Sequence, residues 1–244
     1  MGGVYLEKLT WQQAKQELHS KKVIVLPVGA QTKQHGPHLP LNTDWLTAHY
    51  LTQAIVTRCD VIALPAIAYG YYPAFTTYPG SISLEENTFR DTIEQIIRGM
   101  HQHGAERFYI LNTGISTNAA LSDIRRSFQT DHILVDFTDL TTIIRDIEDR
   151  LEEQSFGSHA DELETSMMLY MFPDKVDMEK AVPELNPRQG PGAFTRDENA
   201  TTGVVSSTGS WGDPTLATVE KGKVIVEHLI DRISGEIDLL SSSG

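Results

Sequence analysis

Two observations predict an α/β fold built on a mostly parallel sheet. Short β-branched runs alternate with longer segments of helical periodicity through the first half of the chain, which is the order of βαβ units. Small polar and glycine-rich segments follow the strand-like runs, at the sheet edge where folds of this class bind ligands.

The elements follow in order. Lys22 to Val28 reads as a buried strand closed by Gly29. Asp44 to Arg58 carries Leu46, Tyr50, Leu51 and Ile55 at helical spacing, and Val61 to Leu64 is a second strand. Glu86 to Gly104 is a helix with Phe89, Ile93, Ile96, Ile97 and Met100 on one side; a glycine is a common helix stop. Arg107 to Leu111 is a third strand, Asn118 to Phe128 a helix, and His132 to Phe137 a fourth strand. Asn186 to Pro214 is dense in Gly, Pro, Ser, Thr and Asn and reads as a long loop, a kind that is usually functional or mobile. A last helix is expected from Thr215 to Ile233. No repeat or composition shift divides the chain, so residues 1–244 are expected to form a single domain.

Composition narrows the function classes. The 244 residues are 40% hydrophobic and 22% charged, enough apolar material for a globular core. A net charge of −13 argues against nucleic acid or an anionic membrane as a partner. No apolar run approaches the ~20 residues of a membrane span. The single cysteine, Cys59, excludes an intramolecular disulfide and a thiolate zinc site. With no basic and apolar leader at the start, a cytoplasmic setting is expected.

Four segments could carry chemistry. Gly29 to Asp44 holds His35, His38 and Asp44 between a strand and a helix. Imidazole and carboxylate together suit zinc, manganese or iron. The plainer reading is a turn-rich connection in which Asp44 or Thr43 caps the next helix. Ser158 to Tyr170 opens with Ser158 and, three residues on, Asp161, a capping-box pattern. In that helix Glu164 falls inside the apolar stripe of Ala160, Leu163, Met167, Met168 and Met171. A carboxylate buried there needs a cation, a donor or a metal. Tyr78 to Leu84 is a Pro-Gly turn with hydroxyls, and Asn112 to Asn118 is a small polar segment after a strand. Neither contains a phosphate loop or a full GxGxxG, so nucleotide binding is not supported.

Taken in order, the stretches LPVGAQTKQHGPHLPLNTD, YPGSISL, HADELETSMML and GDPTLATVEKGK resemble the creatininase family across most of the chain. The resemblance implies a three-layer α/β/α sandwich, a homo-oligomer (commonly a hexamer) and a two-metal centre. It implies hydrolysis of a C–N bond in a small cyclic or formyl amide by metal-activated water. It assigns a metal-ligating role to His35, a metal-bridging role to Asp44, a catalytic role to His159, a place at or beside the metal to Glu164, and a substrate contact to Ser81. Tyr72, with Tyr71 and Phe75, stands where relatives often have smaller or polar residues, so an aromatic substrate pocket is expected.

The chain also departs from the pattern. Lys33 stands where the family has a metal-binding carboxylate, Ile115 where it has a metal-binding histidine, and Thr117 where some members have a further glutamate. An ammonium and an isoleucine have no lone pair to offer. Lys33 either restores the charge of a lost dication beside Asp44 or points to solvent. Three functional readings stay open at this level. The chain is an amidohydrolase holding one divalent metal (zinc, manganese or iron) on His35, Asp44 and Glu164; or it hydrolyses without metal through His159 and Glu164; or it is an inactive member that keeps the fold, the oligomer and a small-ligand pocket.

Overall fold

The computed structural model describes residues 2–129, 131–185, 194–201 and 203–243. Its central sheet has five strands, β1 (Val4–Tyr5), β2 (Val23–Val28), β3 (Val61–Ala63), β4 (Arg107–Asn112) and β5 (Leu134–Phe137), in the order β1-β3-β2-β4-β5. All neighbouring pairs are parallel. The helices are α1 (Trp11–Leu18), α2 (Thr43–Arg58), α3 (Glu86–His101), α4 (Asn118–Ser127), α5 (Leu140–Ile143), α6 (Arg145–Leu151), α7 (Glu162–Met171) and α8 (Val219–Ser242). Two short strands, β6 (Phe194–Thr195) and β7 (Val204–Val205), pair beside the site described below.

The central strands are apolar throughout because both sheet faces are covered. Val23 and Val25 of β2 join Tyr109 and Leu111 of β4 in a core shared with α2, α7 and α8. Ile24, Leu26 and Val28 join Phe108 and Ile110 in a second core with α3 and α4. The result is three layers, an α/β/α sandwich. Pro27 is tolerated in a central strand because β3 has already ended beside it. The β2–β3 register closes at Val25 and Ala63, and beyond it Ile67 donates to the Pro27 carbonyl.

The observed boundaries correct several expectations. The strand expected from His132 starts at Leu134, after His132 takes a left-handed φ of 57°. The last helix runs Val219–Ser242 rather than from Thr215 to Ile233. Asp213 caps a separate 3-10 turn at Pro214–Leu216, and Thr218 caps the helix proper by accepting from the Lys221 N–H. The apolar face then continues to Ile237, which is buried. The expected Ser158 capping box is not formed; Asp161 is the N-cap of α7 and accepts from the N–H groups of Leu163 and Glu164. Of the long loop expected between Asn186 and Pro214, positions 186–193 and 202 lie outside the described residues. No helix of the described residues is long and apolar enough to cross a membrane.

The chain steps from β2 to β3 on one side and then to β4 on the other. The strand order therefore reverses between β2 and β4, and the loops leaving these two strands open a crevice at their carboxyl ends.

Candidate functional site

That crevice is floored by the first turn of α2. Gly29 permits the close approach: a Cβ there would lie 2.5 Å from the Asp44 carbonyl oxygen. The Thr113 hydroxyl, just past β4, reaches Val28 O at 3.1 Å and Asp44 O at 2.9 Å. Strand ends and helix start are thus tied together, and Asp44 points its carboxylate into the crevice rather than capping α2. Thr43 does not cap it either; its hydroxyl donates to Pro40 O.

Asp44 is buried and faces the Lys33 ammonium and the His35 ring. Lys33 Nζ is 2.7 Å from Oδ2, and His35 Nε2 is 3.0 Å from Oδ1. Burial alone would raise its pKa, but the Lys33 charge and then His35 outweigh it and hold the carboxyl well below its usual range. The position in the first turn of a helix favours the anion further. Lys33 is itself only 5% exposed and lies against the rings of Phe75 and Tyr72, at 5.0 and 5.6 Å from their centroids. Burial, followed by the Asp44 charge, pushes the Tyr72 phenol far up.

Two imidazoles and a carboxylate converge beside this pair. His35 donates from Nδ1 to Lys33 O at 2.8 Å, which leaves Nε2 directed at Asp44 and, at 3.5 Å, at Glu164 Oε1. His159 donates from Nε2 to Gln34 O at 3.0 Å, which leaves the Nδ1 lone pair 3.7 Å from Glu164 Oε2. Burial first, then the charges of His35 and Lys33, push His159 well below the usual histidine range. Its ring packs 4.6 Å from Phe75 and 5.5 Å from Phe194. Glu164 accepts from the Ala160 N–H at 2.6 Å. The apolar-stripe reading expected Glu164 to be fully buried; its side chain is 21% exposed and lines the cavity.

The remaining candidates divide. Ser81 does not line the cavity; its hydroxyl accepts from the Gln34 N–H at 3.0 Å and so holds the histidine loop. Tyr72 sits behind Lys33 rather than on the cavity wall. His38 lies outside the cluster, with Nε2 2.7 Å from the Thr165 hydroxyl, and burial lowers its pKa to about 4. Ile115 lines the cavity and is 44% exposed. The Thr117 hydroxyl is 2.7 Å from both Asn112 Oδ1 and Gly114 O and serves the loop. Sequence reasoning missed Phe194 and Trp211, which wall the cavity from a segment without periodicity, and Thr113, whose hydroxyl joins the two strand ends. The sequence marks Asp161 only as a helix-start residue. It caps α7 beside the cavity, and burial pushes its carboxyl up to about 7 against the pull of the N–H groups it accepts.

The cavity measures about 330 Å³. Among the described residues, the group able to hold a metal ion is His35, His159 and Glu164, whose donor atoms all lie within 4.8 Å of one another. Neutral imidazole and carboxylate are good donors for one transition-metal dication. Asp44, expected among the ligands, has one oxygen beside Lys33 and the other beside His35. A second dication does not fit: at its expected position the chain offers the Lys33 ammonium, the Ile115 side chain and a Thr117 hydroxyl already committed to the loop.

The fold and this centre define a parallel three-layer α/β/α protein with an imidazole–carboxylate site at its switch point. The chain belongs to the creatininase family: residues 7–237 match the family model, described as creatinine amidohydrolase. It is 27% identical to a creatinine amidohydrolase of Pseudomonas putida, with 96% of each chain covered. It is 26% identical to a 3-dehydro-scyllo-inosose hydrolase of Thermotoga maritima, covering 94% of this chain and 81% of that one. A solved creatininase structure superposes with a TM-score of 0.84 at 24% identity over 99% of each chain. A mutant creatininase of Zn-Zn type superposes equally well, at 0.84 and 24% identity over the full length of both.

Proposed function

We propose that the protein hydrolyses a C–N amide bond in a small molecule, with one divalent metal held by His35, His159 and Glu164. The observation that carries this reading is the convergence of those three donors on a single cavity. When bound, the metal would lower the pKa of water and polarise the amide carbonyl.

The chain's own groups have separable tasks. His35 and His159 each give one ring N–H to a backbone carbonyl, which orients the other nitrogen toward the centre. Asp44 stays ionised beside Lys33 and His35. Glu164, the carboxylate open to the cavity, would hold the metal through one oxygen and is placed to take a proton from water at the other and deliver it to the leaving nitrogen. Net hydrolysis forms a C–O bond, breaks the C–N bond and releases a carboxylic acid and an amine. The aromatic and aliphatic walls exclude bulk water and strengthen these electrostatic contacts.

Family membership does not set the substrate, and the two relatives above are named for different reactions. The competing reading, an inactive member with a ligand pocket, is favoured by the lost donors at Ile115 and Thr117. A homo-oligomer, a hexamer by family resemblance, belongs to the same proposal and is read by sedimentation velocity. The deciding experiment is metal content after incubation with zinc or manganese and gel filtration. It is followed by a screen of cyclic, formyl and acyl amides. About one metal per chain, lost in His35→Ala and His159→Ala, together with metal-dependent turnover, is expected. Stoichiometric metal without turnover on any amide would leave the inactive reading standing.

A further inference from the structure

Lys33 presents an unusual balance. An ammonium has three N–H donors, and its only ionic partner among the described residues is Asp44 Oδ2. The group is 5% exposed and lines the cavity. Aromatic rings at 5.0 and 5.6 Å offset part of the lost hydration but accept no strong hydrogen bond. Donor capacity is therefore left facing the cavity, where an oxygen of a ligand can use it.

The same cavity is lined by Thr47 of α2, Leu163 and Met167 of α7, and Ile225 and Leu229 of α8. Its lining also carries the carboxylates of Glu148, Asp161 and Glu164, and the α7 and α8 side chains named here suit an alkyl or aryl group.

We infer that the cavity binds an acyl group, its carbonyl oxygen on Lys33 and its apolar chain against Met167 and Leu229. The substrate class is then an amide of a branched aliphatic or aromatic acid. This deepens the hydrolase reading and rests on it for the word substrate. The pocket itself is tested without turnover, because hydrolysis of such an amide leaves a carboxylate on the same acyl group.

The test is calorimetric titration of the full-length, EDTA-treated protein with isovalerate and with acetate. Isovalerate should bind one per chain, and acetate at least about tenfold more weakly, since each buried methylene contributes. Asp44→Asn, which removes the competing anion, should keep or raise isovalerate affinity. The double variant Lys33→Met/Asp44→Asn carries no orphaned charge and should lower it at least about tenfold relative to Asp44→Asn. Leu229→Trp should weaken isovalerate at least about fivefold and leave acetate unchanged, which gives a second arm if the double variant does not fold.

Equal affinity in Asp44→Asn and the double variant would overturn the assignment. So would acetate binding as tightly as isovalerate, carboxylate binding only when zinc is added, or no saturable binding. A wild-type chain that binds isovalerate by these rules yet hydrolyses no acyl amide supports the pocket and removes the hydrolase reading.

Discussion

Among the described residues, the lysine–carboxylate pairs Lys221–Glu162 and Lys33–Asp44 lie in the interior, and they are built differently. Lys221 of α8 meets Glu162 Oε1 at 2.5 Å, Glu153 Oε1 at 2.6 Å and Leu216 O at 3.2 Å. Glu162 in turn accepts from the backbone N–H groups of Glu153 and Gln154. Lys33 has Asp44 and two aromatic rings. The same two functional groups thus make a saturated joint between α7 and α8 and an unsaturated one at the cavity. The saturated joint suits a structural contact, and the spare donor capacity of Lys33 is what the proposed acyl site uses.

The largest expected effect breaks the saturated joint. Lys221→Met leaves Glu162 completely buried without its cation and should cost about 3–5 kcal/mol in a denaturant melt. A loss below about 1 kcal/mol would mean that the backbone donors alone neutralise Glu162. Lys33→Met should cost somewhat less, about 3 kcal/mol, because Asp44 keeps its contact with His35. Restoring stability by adding Asp44→Asn would sharpen the contrast, while a double variant no more stable than Lys33→Met would break it.

Acid should separate the two regions next. His38, on the loop between β2 and α2, has its folded pKa lowered from 6.5 to about 4 by burial and then by His35, and His159 is also held down by burial. Below pH 6.5 these two histidines take up protons more readily in the unfolded chain, so their contribution to stability falls as pH drops from 6.5 toward 4, while Asp161, raised to about 7, contributes in the opposite sense. His38→Gln should therefore gain melting temperature relative to the wild type as pH falls over that window. A difference from the wild type that stays constant with pH would show that His38 makes no such contribution. The smallest effect is at the N-cap of α7: Asp161→Ala should cost about 1 kcal/mol, read as faster amide exchange at Leu163 and Glu164.

Much of this was legible in the residues because burial on both sheet faces leaves a continuous apolar signature. Val23–Val28 and Arg107–Asn112 could be read directly. The two-residue β1 could not, being too short for periodicity to speak, whereas the three-residue β3 was legible as the run Val61 to Leu64. At the site, His35, Asp44, His159 and Glu164 stood out by residue type. That the donor atoms able to hold a metal ion group as His35, His159 and Glu164 was not readable, because it depends on which ring nitrogen each backbone carbonyl engages. The choice of N-cap at Asp161 over Ser158 was hidden for a similar reason. Ser158 is drawn away by pairing its N–H to the Trp211 carbonyl.

Ala160 carries the last lesson. It is buried between His159 and Asp161 and takes a φ of 47°, a left-handed conformation that costs a residue with a Cβ about 1–2 kcal/mol. That twist sends one neighbour's side chain into the cavity and the other's onto the helix start. Glycine at this position would relax the backbone and, by the same freedom, let the imidazole wander. Selection for heat resistance and selection for a well-aimed histidine therefore pull this single position in opposite directions.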